Sequence, residues 1–210
     1  MNMTQKDPLN VIVTGVGGQG NVLISQLIGK ALVKEGHHVT IGETYGASQR
    51  GGAVMSHIRI SRQEQYGPLI PEGQADVILG LEPVETMRVL AQYGHPEVIV
   101  IANSRPVYTM AVTTGAAEYP GTQEVTRTLE ELSSAAWVIN ATEIALEMGA
   151  SILTNIIMVG ALVGSQALPL GPEGLEAALR DSMPSDKLEV NLTAARRGLE
   201  EARARAGVSS

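Results

Sequence analysis

Residues 10–20 read NVIVTGVGGQG, a short apolar run that ends directly in a cluster of glycines. β-Branched side chains fill Val11 to Val13, as is typical of a buried strand. Residues 21–34 then repeat apolar side chains at helical spacing, and residues 38–43 read as a second strand. A strand, a glycine turn, a helix and a second strand predict a βαβ opening, and hence a parallel sheet covered on both faces.

The rest of the chain continues this pattern without a repeat, a linker or a clear domain boundary. We predict further strands over 53–60, 75–80, 97–102 and 137–140. We predict one helix that begins at about residue 83 and others over 122–134, 142–148, 152–170, 173–183 and 186–206. Thr142 is the expected N-cap of its helix, and residues 105–121 read as a loop or small hairpin. The fold class is therefore α/β: a Rossmann-like, doubly wound, mostly parallel sheet in one domain over 1–210. A flexible segment is expected at 1–9, and a C-terminal helix and tail at 186–210.

Composition excludes several classes of function. The chain is 44% hydrophobic, so it can bury a large core, but only 3% of its residues are aromatic, with no Phe, one Trp and five Tyr, which argues against a base-stacking surface. Its net charge of -7 disfavours nucleic acid as a partner. With no cysteine it cannot form a disulfide, a thiolate nucleophile or a cysteine-ligated cluster. Residues 1–10 are polar and polar residues interrupt 152–170, so we expect neither a signal peptide nor a membrane span, and a cytoplasmic location.

The glycine cluster fits the dinucleotide-binding fingerprint G-x-G-x-x-G through Gly15, Gly17 and Gly20. Glycines permit a tight turn and let backbone N–H groups approach a phosphate at the start of a helix. Glu43 ends the second predicted strand, where such folds place an acid for the ribose hydroxyls. These residues favour a nucleotide site, and a second interpretation is that the glycines only let the helix pack closely on the sheet.

The segment after the second strand, 43–52, reads ETYGASQRGG. A structural turn needs only one or two special residues, whereas this one has several polar side chains and three glycines. Arg50 offers a planar fork for a carboxylate or a phosphate. We therefore predict a binding loop here.

These stretches together resemble a known family, the gamma-type module of 2-oxoacid:ferredoxin oxidoreductases, and within it the small, beta subunit of the indolepyruvate enzymes. The likeness is carried by GVGGQG at 15–20, YGASQRGG at 45–52, SHIR at 56–59, LIPEG at 69–73, ADVILG at 75–80 and EPVE at 82–85. It spans nearly the whole chain.

The resemblance implies an enzyme that oxidatively decarboxylates a 2-oxoacid to an acyl-CoA. Thiamine diphosphate, Mg²⁺ and [4Fe-4S] clusters would lie on a larger partner subunit, with ferredoxin as the electron acceptor. This chain would hold no cofactor alone, would be inactive in isolation, and would complete the active site and help to receive coenzyme A. The substrate stays open between indolepyruvate, pyruvate and other 2-oxoacids.

The two loops are expected to meet at the carboxyl edge of the sheet and to hold the phosphates of coenzyme A or face the thiamine site. The candidate binding residues are Gly15, Gly17, Gly18, Gln19, Gly20, Glu43, Tyr45, Ser48, Gln49, Arg50, Gly51 and Gly52. No catalytic residue and no metal ligand is assigned. The alternatives are a free-standing NAD-binding dehydrogenase and a purely structural adapter.

Other polar residues are expected to be structural. His57 reads as a satisfied core or interface histidine, while His37 and His38 fall in a turn and are expected to be exposed. Glu82 and Glu85 begin a predicted helix, where carboxylates favour the positive end of its dipole.

Overall fold

The computed structural model describes residues 6–45, 53–108, 110–116 and 118–205, apart from the side chains of Tyr45, Met110 and Ala111. The strands are β1 (Leu9–Val16), β2 (His38–Tyr45), β3 (Ala53–Ser61), β4 (Val77–Gly80), β5 (Ile99–Asn103) and β6 (Ala135–Ile139). The helices are α1 (Asn21–Lys34), α2 (Pro83–Tyr93), α3 (Met110–Thr113), α4 (Thr122–Glu131), α5 (Ala141–Glu147), α6 (Thr154–Gly164), α7 (Pro172–Ser182) and α8 (Ser185–Arg205), with a 3₁₀ turn at Ser151–Leu153.

Six strands form one sheet in the order β2-β3-β1-β4-β5-β6. β1, β4, β5 and β6 pair in parallel, whereas β3 is antiparallel to both β1 and β2. The predicted α/β class and the mostly parallel sheet are confirmed. One detail of the βαβ opening differs: β1 and β2 point the same way, but β3 lies between them, so they are not neighbours.

Helices cover both faces of the sheet, as expected. The larger core packs α1, α6, α7 and α8 against one face, where Val11, Val13 and Ile58 are buried. The second core packs α2 and α4 against the other face, around Ile12, Ile78 and Val100. Alternate residues of β1 therefore serve opposite layers, since successive side chains of a strand point to opposite faces.

The apolar stretch 152–170 contains the buried helix α6, which is covered by α8. Gly198 of α8 lies so close to α6 that a Cβ there would overlap the carbonyl oxygen of Ile157. A Cβ on Gly164 would come within 2.7 Å of the Leu199 carbonyl oxygen. Small residues thus let two helix backbones approach closely. No helix in the described part of the chain is both long and apolar enough to span a membrane.

Two local predictions are wrong, and a third, a loop or small hairpin at 105–121, is right only in part. Asn140, rather than Thr142, caps α5, because its side chain accepts a hydrogen bond from the Glu143 N–H. The stretch 105–121 contains the short helix α3 rather than a hairpin. Residues 6–9 are part of the fold, since the Lys6 ammonium lies 2.8 Å from the Asp76 carboxylate and Leu9 begins β1.

Candidate functional site

The site is built at the carboxyl edge of the sheet, where the chain turns from β1 into α1. Gly18 and Gly20 have φ angles of 99° and 87°, the left-handed region that favours glycine. Gly20 occupies the N-cap of α1 and offers no side-chain cap. The turn therefore leaves the positive end of α1 open at this edge.

Gln19 acts as an internal brace of this turn. Its Oε1 accepts a hydrogen bond from the Val16 N–H at 2.8 Å, and its Nε2 donates to the Leu81 carbonyl at 3.1 Å. A Cβ on Gly15 would lie 2.5 Å from the same Oε1. Gly15 is thus needed for the brace, which joins the ends of β1 and β4.

Asn21 ties the start of α1 to β3. Its Nδ2 donates to the Val54 carbonyl at 3.2 Å, while its Oδ1 is buried with no hydrogen-bond partner among the described residues. Tyr45 and Val54 are register partners across β2 and β3, and Val16 pairs with Ala53. The chain therefore leaves β2 and enters β3 beside the glycine turn, at the edge where the two loops were expected to meet.

Part of the predicted loop lies outside the described residues. This applies to Ser48, Gln49, Arg50, Gly51 and Gly52, and to the side chain of Tyr45. Their assignment stays a prediction.

Glu43 has a different setting from the acid of a dinucleotide fold. It lies on β2 opposite Ser56 of β3, so a whole strand separates its own strand from β1 and the glycine turn. Adjacent strands lie ~4.8 Å apart, which places β2 about two strand spacings from β1. The fingerprint glycines and Glu43 therefore do not adopt the neighbouring-strand arrangement that a ribose contact uses.

A cleft of about 470 Å³ opens beside the glycine turn. Its walls come from the residues after β1, β4, β5 and β6 and from the start of α6, namely Gly18, Gln19, Leu81, Arg105, Pro106, Val107, Thr142, Ser151, Ile152, Thr154 and Asn155. The connections from β1 and β4 leave in opposite directions along the sheet. Such a switch point is where ligands of open α/β sheets bind.

The wall formed by residues 105–107 is fixed by Glu82, which is 2% exposed. Its Oε2 accepts from the Glu85 N–H at 2.8 Å and so caps α2. Its Oε1 accepts from the Tyr119 hydroxyl at 2.5 Å and from the Val107 N–H at 3.4 Å. Burial and this carboxylate raise the pKa of Tyr119 far above its usual value. The expected dipole role of Glu82 is thus joined by a second one: it anchors a wall of the cleft.

A larger cavity, about 540 Å³, lies at the opposite, amino edge of the sheet. Its main charged groups already have partners, since Asp76 accepts from Lys6 and from the Asn10 N–H, and Arg59 donates to the Asn10 side chain. It holds the first residues of the fold against β4. We therefore place the functional site in the smaller cleft.

The histidines are structural. His57 is a core histidine but only half satisfied: its Nδ1 accepts a hydrogen bond from the Ile70 N–H at 3.2 Å, whereas its buried Nε2 has no partner among the described residues. Burial lowers its pKa. The prediction of an exposed His37 is wrong, because it is 9% exposed and lines a small cavity with Leu9 and Pro169, whereas His38 is exposed. Across the described ranges no group of histidine and carboxylate side chains could hold a metal ion.

The cleft residues Arg105, Thr142 and Asn155 were not among the predicted site residues. They come from three separate connections, and only the fold brings them to Gly18. The available signals were a polar Asn155 opening an apolar helix and an arginine directly after a buried strand.

Comparison with known proteins places these features in a family. The family model described as pyruvate ferredoxin/flavodoxin oxidoreductase matches residues 10–201. The indolepyruvate oxidoreductase subunit IorB of Archaeoglobus fulgidus is 40% identical over 194 residues, covering 92% of this chain and 95% of the relative. The Pyrococcus horikoshii subunit of the same name is 37% identical over 195 residues, covering 92% and 96%.

A solved structure shares the fold at lower identity. The 2-oxoglutarate:ferredoxin oxidoreductase of Magnetococcus marinus, with 2-oxoglutarate, coenzyme A and succinyl-CoA bound, superposes with a TM-score of 0.73 at 22% identity. The match covers 95% of this chain and 32% of that one.

Proposed function

Because the chain belongs to the pyruvate ferredoxin/flavodoxin oxidoreductase family, we propose that it is the small subunit of a thiamine-diphosphate-dependent enzyme that oxidises aryl pyruvates such as indolepyruvate. Membership makes it a subunit of a 2-oxoacid:ferredoxin oxidoreductase. The aryl pyruvate substrate is supported by the 40% identity to an indolepyruvate oxidoreductase subunit over almost the full length of both chains. The structural observation that carries the proposal is the cleft between the carboxyl ends of β1 and β4.

The redox and carbanion chemistry belongs to a larger partner in this proposal. The chain has no cysteine, so it supplies no thiolate for an iron–sulfur cluster. We assign the [4Fe-4S] clusters, thiamine diphosphate and Mg²⁺ to that partner, ferredoxin to the role of acceptor, and the complex to the cytoplasm. The isolated chain is then inactive.

The contribution of this chain is to receive coenzyme A and to close the active site. The glycine turn at Gly18 and Gly20 suits an anionic group, because it lies at the uncapped positive end of α1. Arg50 lies in the sequence between β2 and β3, and we assign its guanidinium to a phosphate of coenzyme A, which a planar fork suits. Tyr45, Ser48, Gln49, Gly51 and Gly52 complete the proposed loop.

Partner contact is supported by apolar side chains at the rim of the cleft. Ile152 lines the cleft and is 75% exposed. Val107, which also lines the cleft, and Tyr108, the next residue in the chain, are exposed too. Exposed apolar groups around a concave site are typical of a surface that another protein covers. This observation also suits the structural adapter, which would need the same contact but no ligand.

The alternative of a free-standing NAD-binding dehydrogenase has weaker support. It rests on the glycine fingerprint, yet β3 separates β1 from the strand that carries Glu43. Glu43 therefore does not lie on the strand next to β1, where a residue that contacts a ribose at the glycine turn is expected.

The test is to express the chain with its larger partner and to assay 2-oxoacid-dependent and coenzyme A-dependent reduction of a viologen dye. We expect activity that is highest with indolepyruvate. Arg50→Ala should raise the KM for coenzyme A by about tenfold or more, since a charge-assisted hydrogen bond is lost. Arg127→Ala is the matched control, because Arg127 is exposed and pairs with Glu131 on α4.

The outcomes separate the candidates. An unchanged KM in Arg50→Ala would reject the coenzyme A contact at this residue. A chain that purifies without a partner and binds NADH tightly would reject the subunit assignment. A complex that needs the chain but binds coenzyme A equally well without the loop would favour the adapter.

A further inference from the structure

Two helices begin at the same point of the cleft. α1 starts at Gly20, and the 3₁₀ turn at Ser151–Leu153 runs directly into α6. Neither start has a side-chain cap, because Gly20 has no side chain and the Thr154 hydroxyl donates back to the Ser151 carbonyl. The positive end of α1 therefore lies at this turn. In the second helical run the Leu153 and Thr154 N–H groups already donate to the Ala150 and Ser151 carbonyls, so its positive end lies at Ser151 and Ile152, which line the cleft.

The two helix starts are in direct contact. A Cβ built on Gly20 would lie 2.6 Å from Nδ2 of Asn155. Gly18, on the α1 side, and Ile152, on the other side, line the same cleft. Residues at the starts of two separate helical elements thus line one small volume.

Asn155 is the second, independent sign of a ligand. Asn155 is 6% exposed and lines the cleft. Its side-chain amide makes no hydrogen bond with any residue in the described part of the chain. The Asn155 amide is not among the fully buried polar atoms that lack a partner, so its unpaired groups are reached from the cleft. A partner supplied from the cleft would satisfy it.

Arg105 sets the sign of the charge. Among the described lining residues it is the only ionisable side chain, and it has no ion-pair partner in the described ranges. The cleft therefore carries one positive charge and two helix N-termini, with no described carboxylate in its lining. The Glu82 carboxylate lies behind the 105–107 wall, where it accepts from the Val107 N–H and the Tyr119 hydroxyl.

We propose that this corner of the cleft binds an anionic oxygen group, a phosphate or a carboxylate, through the amides of the two helix starts, the Asn155 side chain and Arg105. The subsite is additional to Arg50, and it rests on the proposed function only for the identity of its ligand. A phosphate would come from the co-substrate, and a carboxylate from the oxoacid.

The test uses the full chain alone, at 150 mM NaCl, with inorganic pyrophosphate and phenylpyruvate as separate probes. Calorimetry gives the affinity, and amide chemical shifts locate the site. We expect at least one probe to shift the Gly18, Gly20 and Ile152 amides. Binding of pyrophosphate alone identifies the phosphate source, and binding of phenylpyruvate alone identifies the carboxylate source.

Two variants and a control assign the contacts. Arg105→Ala should weaken binding by about tenfold or more, and Asn155→Ala by about threefold or more, because charged hydrogen bonds are the stronger ones. Arg105→Lys should recover part of the loss, since it keeps the charge without the planar fork. Arg127→Ala should bind like the unmodified chain.

The proposal is overturned if neither probe binds, if Arg105→Ala and Asn155→Ala bind as well as the control, or if the shifts fall at the amino edge around Gln74. Thermal unfolding of each variant shows whether a loss comes from misfolding. Because no partner subunit is present, these results are independent of the oxidoreductase assay.

Discussion

Gly20 combines two constraints that glycine alone meets, a left-handed backbone and a close neighbour. Its φ is 87°, and a Cβ would lie 2.6 Å from Asn155 Nδ2. Gly36 has nearly the same φ, 85°, but open space around it. Substitutions at Gly36 and Gly20 can therefore be compared to separate the cost of a strained backbone from the cost of a crowded side chain.

We expect Gly36→Ala to lower the free energy of unfolding by about 1 kcal/mol, the usual cost of a left-handed alanine. Gly20→Ala should lose about 1–3 kcal/mol more, because the added methyl group must displace Asn155. Urea denaturation of both variants measures the difference. Equal losses would mean that Asn155 moves aside freely and that the two helix starts are not tightly packed.

At the scale of single residues, the sequence predicts where the turn lies but not which side-chain hydrogen bonds hold it. The fingerprint correctly located the glycine turn after β1 and before α1. It could not show that the Gln19 side chain braces the turn against Leu81, because Leu81 lies 62 residues further along the chain. Arg105 and Asn155 were missed for the same reason.

The elements show a similar division between local pattern and long-range pairing. Most strands and helices follow from apolar periodicity, which depends on neighbours in the chain. The position of β3 does not, since its alternation is the same whether it pairs at an edge or between β1 and β2. The strand order needed the structure.

The α6–α8 contact yields a prediction at the scale of elements. We expect Gly198→Ala to lower the free energy of unfolding by about 3 kcal/mol, because the methyl group would overlap the Ile157 carbonyl and force the helices apart. Gly67→Ala is the control, since Gly67 has open space, and its effect should stay within about 0.5 kcal/mol. A mild loss at Gly198 would show that α8 can shift on α6.

Across the whole molecule, the main charged groups at the amino edge have partners, whereas the carboxyl edge leaves Asn155 and Arg105 without described partners and Ile152 exposed. Ion pairs within the chain neutralise the charges at the amino edge. The carboxyl edge has unpaired polar and exposed apolar groups, which suit a ligand and another protein. The sheet thus has a structural edge and a binding edge, as parallel α/β folds commonly do.

This asymmetry predicts a selective effect of charge at the cleft rim. Ile152→Asp should abolish co-purification with the larger subunit, because a carboxylate would be desolvated in the contact. Its unfolding free energy should change by less than about 0.5 kcal/mol, since Ile152 is 75% exposed. Leu132→Asp, at the amino edge with 54% exposure, should leave the complex intact. Retained assembly in Ile152→Asp would place the partner elsewhere.

The close contact of α8 with α6 also sets an order of events during synthesis. α6 is apolar and buried throughout, and α8 covers it, with the Trp137 indole N–H of β6 donating to the Ala202 carbonyl. A nascent chain that has produced all six strands and α6 still lacks this cover. The larger core can close only after translation has passed α8, so an apolar helix stays exposed to chaperones and to aggregation until that late stage.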